Sequence, residues 1–139
     1  MDKGFNIRVY GVLINEKKEV LLMDETRFGV SFTKFPGGGL ELGEGLEDCL
    51  IREFQEELGM SIKVLGLMYV NPFFVQSAFN PKDQLIAVYY TVYSSSFEMK
   101  IGSDTEQPKW FRLDTISEDD LTFPIDKEVV KLIKQKKRD

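Results

Sequence analysis

Glu53, Glu56 and Glu57 lie within a five-residue span beside a single cation, Arg52. Residues 38–60 hold seven acids (Glu41, Glu44, Glu47, Asp48, Glu53, Glu56 and Glu57) against that one arginine, a net charge of −6. On a helix the three clustered glutamates fall within about 100° of arc and share one face. Like charges at i,i+3 and i,i+4 each cost about 0.2–0.5 kcal/mol, and carboxylates in a last helical turn oppose the dipole by roughly 0.3–1 kcal/mol each. As solubilising charges they are badly placed. A divalent cation reverses every one of those signs. Oxygen donors with no His or Cys among them select hard ions, Mg²⁺ or Mn²⁺. Such a segment repels a phosphate ester until metal is loaded. Upstream, Gly37-Gly38-Gly39 lets backbone approach closely, but no Lys-Ser or Lys-Thr follows. It is neither a P-loop nor a dinucleotide fingerprint.

Missing residue types narrow the chemistry further. The chain has no His and a single Cys, Cys49. Imidazole bases, Ser-His-Asp triads and His-ligated zinc or iron are thereby excluded. Cys49 can form no intramolecular disulfide, its neighbours are acidic rather than cationic, and its expected role is packing. The net charge of −5, from 18 Lys and Arg against 23 Asp and Glu, is unevenly spread. Residues 127–139 carry six cations and two acids, leaving the first 126 residues at 12 minus 21, or −9. That body makes a poor groove for a nucleic-acid polymer. The basic C-terminal run complements a helix dipole and is expected to face water.

The scaffold that must position these groups is expected to be one domain spanning residues 1–139, with 42% hydrophobic and 12% aromatic residues to build its core. No apolar run is long enough for a membrane helix and no signal-peptide core opens the chain, so a cytoplasmic protein is expected. Ile7 through Ile14 reads as a strand, followed by the turn cluster Asn15-Glu16-Lys17-Lys18 and the apolar run Val20-Leu21-Leu22-Met23, a pattern that predicts a hairpin. Phe35-Pro36-Gly37-Gly38-Gly39 interrupts it. Leu46 to Leu58 predicts a helix with Leu50, Ile51, Phe54 and Leu58 on its buried stripe and Gly59 closing it. Residues 61–71 and 85–93 have strand composition, joined by a long connection over residues 72–84. Trp110-Phe111-Arg112-Leu113 reads as a short late strand, with Trp110 packed in or at the rim of the core. Ile125, Val129, Leu132 and Ile133 form the stripe of a C-terminal helix with Pro124 near its start. One mixed sheet with a helix on each face is the simplest closed core.

Taken together, Gly38, five residues, Glu44, seven residues, then Arg52-Glu53-Phe54-Gln55-Glu56-Glu57-Leu58-Gly59-Met60 resembles the signature box GX5EX7REUXEEXGU of the Nudix (MutT-type) hydrolases at every fixed position. A chance match of the seven fixed letters is on the order of 10⁻⁹ per start position. Phe35-Pro36-Gly37 and Glu41-Leu42-Gly43-Glu44 are similar to the family's wording too. Phe54 departs from the aliphatic residue usual at its position. The resemblance implies an α/β/α sandwich, a mixed sheet between helices, with a loop-helix-loop catalytic segment. It implies that Glu53, Glu56 and Glu57 hold divalent metal with backbone oxygen from Gly38, that Glu53 is the general base, and that Arg52 orients Glu44 and Glu53. It further implies a late-loop carboxylate, for which Glu106 and its rival Asp104 are the candidates. The reaction implied is metal-dependent hydrolysis of a nucleoside diphosphate linked to another moiety, such as a nucleoside triphosphate or small nucleotide derivative.

Other residues are less distinctive. Arg8 and Arg27 are candidates for holding substrate phosphate, although single basic residues are usually solvated. Phe74, in the stretch Asn71-Pro72-Phe73-Phe74-Val75, is a candidate pocket wall or an ordinary core residue. Two kinds of protein fit these residues: the hydrolase, and a non-catalytic nucleotide-binding sensor or regulator with the same fold. Both take a nucleotide-type small molecule and neither needs a nucleic-acid polymer or a membrane. The oligomeric state is left open, a homodimer included.

Overall fold

Apolar residues at consecutive positions of a strand require two buried faces rather than one, and the first strand meets this requirement. In the computed structural model, which describes residues 3–138, β1 (Gly4–Leu13) sends Tyr10 and Val12 into one core and Val9 and Leu13 into another. It lies parallel to β6 (Asp83–Tyr93) and antiparallel to β4 (Gly37–Gly39), and β6 pairs antiparallel with β5 (Lys63–Val70). The result is a mixed four-stranded sheet in the order β4-β1-β6-β5. A second, antiparallel sheet has β2 (Glu19–Arg27) between β3 (Val30–Lys34) and β7 (Glu106–Arg112).

Two helices close the cores. α1 (Leu46–Leu58) buries Cys49, Leu50, Phe54 and Leu58 against Val9, Leu13, Leu21, Met23 and Val88. α2 (Pro124–Arg138) buries Ile125, Val129, Val130 and Ile133 on the other side, against Tyr10, Val12, Val20, Leu22 and Tyr89. The sheets therefore lie between helices in an α/β/α arrangement. Asp48 in the first turn of α1 accepts from the Gly45 amide at 3.4 Å, and Gly59, at φ 60°, ends the helix by donating to Gln55 O at 3.0 Å. Phe54 is seated where β1 has Gly11: a Cβ there would lie 2.7 Å from the Phe54 ring. Met1, Asp2 and Asp139, and the side chains of Lys137 and Arg138, lie outside the described residues, so the opening dipeptide and the end of the basic C-terminal run do too. Among the described residues no helix is long and apolar enough to cross a membrane.

Several expectations are corrected. The β1/β2 hairpin does not form; the two strands meet only at the bridge between Ile14 and Val20 and then part into different sheets. Val20, Leu21, Leu22 and Met23 are all fully buried, a demand that a hairpin with one wet face cannot meet. For the same reason there are two sheets instead of one. Ile51 is 42% exposed and Cys49 takes its place on the buried stripe. The late strand begins at Glu106, four residues before Trp110, and Pro108 is tolerated in it because β7 is an edge strand. Trp110 is half-buried on the α1 side, edge-on to Phe97. β3 and the glycine strand β4 were not foreseen.

Phe54 links α1 to β1, and its loss leaves a cavity where Gly11 offers no side chain to refill it. Phe54→Ala is expected to lower unfolding stability by about 3–5 kcal/mol, read by urea denaturation.

Candidate active site

α1 presents its polar face to the glycine strand, and Arg52 organises the junction. Its Nε and Nη2 donate to the two oxygens of Glu44 at 3.0 and 2.7 Å. Nη1 donates to Glu53 at 2.9 Å and to Glu56 at 3.1 Å, and Nη2 also reaches Gly39 O at 3.1 Å. The two-pronged hydrogen bond from Arg52 holds the Glu44 carboxyl down at about 2. Gly38 lies directly under Glu53, since a Cβ at that position would collide with the carboxylate. Gly37, at φ 148°, has its missing Cβ aimed at Val9 O, which is why β4 can press against β1. Cys49 is buried beneath this network, and burial with the nearby Glu44 pushes its thiol up to about 12, so it packs and does not react.

Beyond Arg52 the acids are poorly compensated. One oxygen of Glu57 is buried with no hydrogen-bond partner. Burial, with Glu106 and Glu53 adding their charge and Lys34 opposing, pushes the Glu57 carboxyl up to about 8. Glu106 is raised by burial and then by Glu25, which faces it across the β2/β7 ladder. Like charges directly opposite in a sheet destabilise it. Glu25 is 4% exposed and is held by Arg27 at 2.8 Å. Glu56, by contrast, is 59% exposed. Asp104 is exposed and lies in a shallow groove of polar side chains. Among the described residues no three acids stand in ready ligating arrangement. The donor set nevertheless suits a hard cation: it is all oxygen, crowded against its own repulsion, with an unpartnered buried oxygen and a bare glycine backbone beside it.

Next to the acids is a cavity of about 230 Å³ between β1, β6 and the start of α2. Tyr10, Phe32, Phe79 and Tyr89 supply aromatic walls, while Arg8, Arg27 and Lys34 supply cations. Arg27 lies over the Phe79 ring at 5.1 Å and the Phe32 ring at 6.0 Å. Arg8 donates to the Tyr10 hydroxyl at 2.7 Å and feels the charge of Glu53 and Glu25. At the floor, Asp126 accepts a short hydrogen bond from Tyr89, and burial pushes its carboxyl up to about 7. Phe74 does not line this cavity. Val75 pairs with Leu85 and turns inward, so its neighbour Phe74 turns outward, 70% exposed in a separate shallow groove.

The sequence thus places Arg52, Glu44, Glu53, Glu57, Gly38, Glu106, Arg8 and Arg27 in one region, with Glu56 at its rim. It misses Glu25, Lys34 and Asp126. For Glu25 a signal existed: it continues the Leu21, Met23 alternation onto the α1 face, where an acid is out of place. Lys34 and Asp126 carry no comparable mark.

Comparison with known proteins accords with this arrangement. A family model described as NUDIX domain matches residues 4–133. The chain belongs to the Nudix hydrolase family. The MutT protein of Methanosarcina mazei superposes over 100% of this chain and 99% of its own, with TM-score 0.79 and 21% identity. A NUDIX hydrolase of Nitrosomonas europaea gives TM-score 0.75 at 23% identity, over 91% of this chain and 86% of its own. In sequence, an ADP-ribose pyrophosphatase of Methanocaldococcus jannaschii is 26% identical over 110 residues, 79% of this chain and 63% of that protein. An RNA pyrophosphohydrolase of Actinobacillus pleuropneumoniae is 28% identical over 118 residues, 85% of this chain and 52% of that protein. The chain therefore spans less than two thirds of the length of these last two relatives, the pyrophosphatase and the pyrophosphohydrolase.

The buried Asp126 makes stability depend on pH. Its folded-state value of about 7 lies above the ordinary 3.8, so the folded protein holds the proton more tightly. That contribution is fully present below about pH 4 and is lost as pH rises to about 7. Asp126→Asn is expected to flatten the fall in melting temperature between pH 4 and 7, measured by calorimetry at each pH.

Proposed function

We propose that this chain hydrolyses the diphosphate linkage of a nucleoside diphosphate joined to another moiety, in a reaction dependent on Mg²⁺ or Mn²⁺. The observation that carries this reading is the buried, unpartnered oxygen of Glu57, on which the charges of Glu106 and Glu53 bear, on the far side of Lys34 from an aromatic cavity lined with cations. A non-catalytic nucleotide sensor gains nothing from holding those like charges together.

Glu53, Glu56, Glu57 and Glu106, with backbone oxygen from the Gly38 turn, would hold the metal. When bound it draws charge from the diphosphate and lowers the pKa of water. Glu53 takes the proton of the attacking water, and Arg52 fixes its orientation through the 2.9 Å contact. One P–O–P bond breaks and each product keeps at least one phosphate, the water oxygen remaining on one of them. The aromatic cavity holds the nucleoside, with Phe79 among its walls, and Arg8 and Arg27 face its phosphates. A cavity of about 230 Å³ is small for a ligand pocket, which favours a single nucleoside. The −9 body disfavours a polymer, so a small nucleotide is preferred to an RNA end.

A screen of nucleoside triphosphates, nucleotide sugars, dinucleotides and 5′-triphosphorylated RNA, each with Mg²⁺ and with the products separated and identified by chromatography, tests the reading. Turnover is expected with a small nucleotide and is expected to vanish in EDTA; full activity after exhaustive chelation sinks the metal requirement. Glu53→Gln should lower turnover by orders of magnitude while thermal stability stays level or rises, because one repelling charge is gone. Lower stability with an unchanged rate per folded molecule would make Glu53 structural.

For the fourth carboxylate, Glu106→Gln should raise the Mg²⁺ concentration giving half-maximal rate, and Asp104→Asn should not. The reverse result would transfer the role to Asp104.

A further inference from the structure

Lys34 ends β3 with its side chain 5% exposed, between the acids and the cavity. Lysine is almost never buried without full pairing, and an ammonium has three donors to place. Here Nζ donates to Gly37 O at 3.3 Å, while Glu25 stands at 3.9 Å, an ion pair beyond hydrogen-bond reach. Glu25 is held more closely by Arg27, at 2.8 Å. Neutralising Glu25 is therefore not what keeps Lys34 in place. Its charge acts on Glu57 and Glu106 on one side and on Asp126 on the other. Arg8 has a similar position: Lys34 Nζ and the Arg8 Cζ lie 5.6 and 5.8 Å from the centre of the same Tyr10 ring.

We propose that Lys34, with Arg8 about the same Tyr10 ring, binds the phosphate that joins the nucleoside to the rest of the substrate. The inference rests on a nucleotide occupying the cavity, as argued above. With a divalent cation held by the glutamates, Lys34 would be left in the throat with one hydrogen bond, to Gly37 O, and Glu25 at 3.9 Å. A phosphate oxygen completes its donors and brings a counter-charge within hydrogen-bond reach, closer than the 3.9 Å of Glu25. A cation in this place grips the phosphate attached to the nucleoside, so the nucleoside in its cavity sets where along the diphosphate the carboxylates act.

The test compares AMP, GMP, CMP and UMP with their nucleosides by calorimetry in Mg²⁺, which relieves the repulsion of the acids; none of these ligands carries a diphosphate to hydrolyse. At least one monophosphate should bind the native chain more tightly than its nucleoside. In Lys34→Gln that phosphate gain should shrink about tenfold to a hundredfold, the equivalent of a charge-assisted hydrogen bond, with nucleoside affinity unchanged. Lys34→Arg, which keeps the charge, should retain most of the gain and decides the matter if the Gln variant unfolds. An undiminished gain in folded Lys34→Gln, a gain lost equally in Lys34→Arg, or no gain in the native chain, overturns the proposal. Turnover of the native chain in Mg²⁺ is measured separately: turnover without a phosphate gain removes only the role of Lys34, and a Lys34-dependent gain without turnover removes only the hydrolase reading.

Discussion

Arg52 holds Glu44 through two nitrogens and Glu53 through a third, and the remainder of the site is arranged around that grip. Carboxylates brought this close repel one another, so something in the polypeptide must oppose the repulsion. A guanidinium suits the task because its planar fork meets two or more carboxylates in fixed directions, which a lysine cannot do. The arginine is tied in turn to Gly39 O, so the helix that carries Glu53 is fastened to the glycine strand beneath it. Compensation is incomplete. It covers Glu44, Glu53 and Glu56 and leaves Glu57, Glu106 and Glu25 to share Lys34 and Arg27. The uncompensated side is where a cation is most strongly favoured.

The fold supplies this geometry by burying strands on both faces. Because β1 has apolar residues on both sides, α1 and α2 can pack on opposite cores, and one strand carries Val9 towards the acids and Arg8 and Tyr10 towards the cavity. The cavity and the acids thus sit at opposite faces of the same strand, only a strand's thickness apart. Gly37 and Gly38 make the approach close enough, since any side chain there would strike β1 or Glu53.

What could be read in the sequence was whatever has a short period. The Glu53, Glu56, Glu57 face, the capping Gly59 and the stripe of α2 all follow from helical spacing. Ile51 was misplaced because its angle lies at the border of the stripe, where tertiary packing chooses, and the core chose Cys49 instead. β4 could not be read at all: glycine has no strand preference, and Gly37–Gly39 is extended only because the edge of β1 offers it partners. The hairpin failed for a related reason. A turn signal says that two strands reverse direction but not that they stay in one sheet, and the doubly buried run Val20–Met23 drew β2 into the other layer.

Lys34 and Asp126 belong to a harder class. Each is a charged residue whose local sequence reads as ordinary surface, Lys34 at the end of a strand and Asp126 in the first turn of a helix, where an acid is favoured by the dipole anyway. Their burial arises only when β3, β1, β6 and the start of α2 converge on one cavity. The same convergence explains why both survive there. Asp126 is held by Tyr89 and feels the positive charge of Lys34 and Arg8, and Lys34 has acids on either side. Both face the one cavity. A ligand entering that space inherits a polarised environment, cationic at the throat and a buried acid at the floor, which favours a molecule with an anionic end and a hydrogen-bonding planar end over one that is uniformly charged or uniformly apolar.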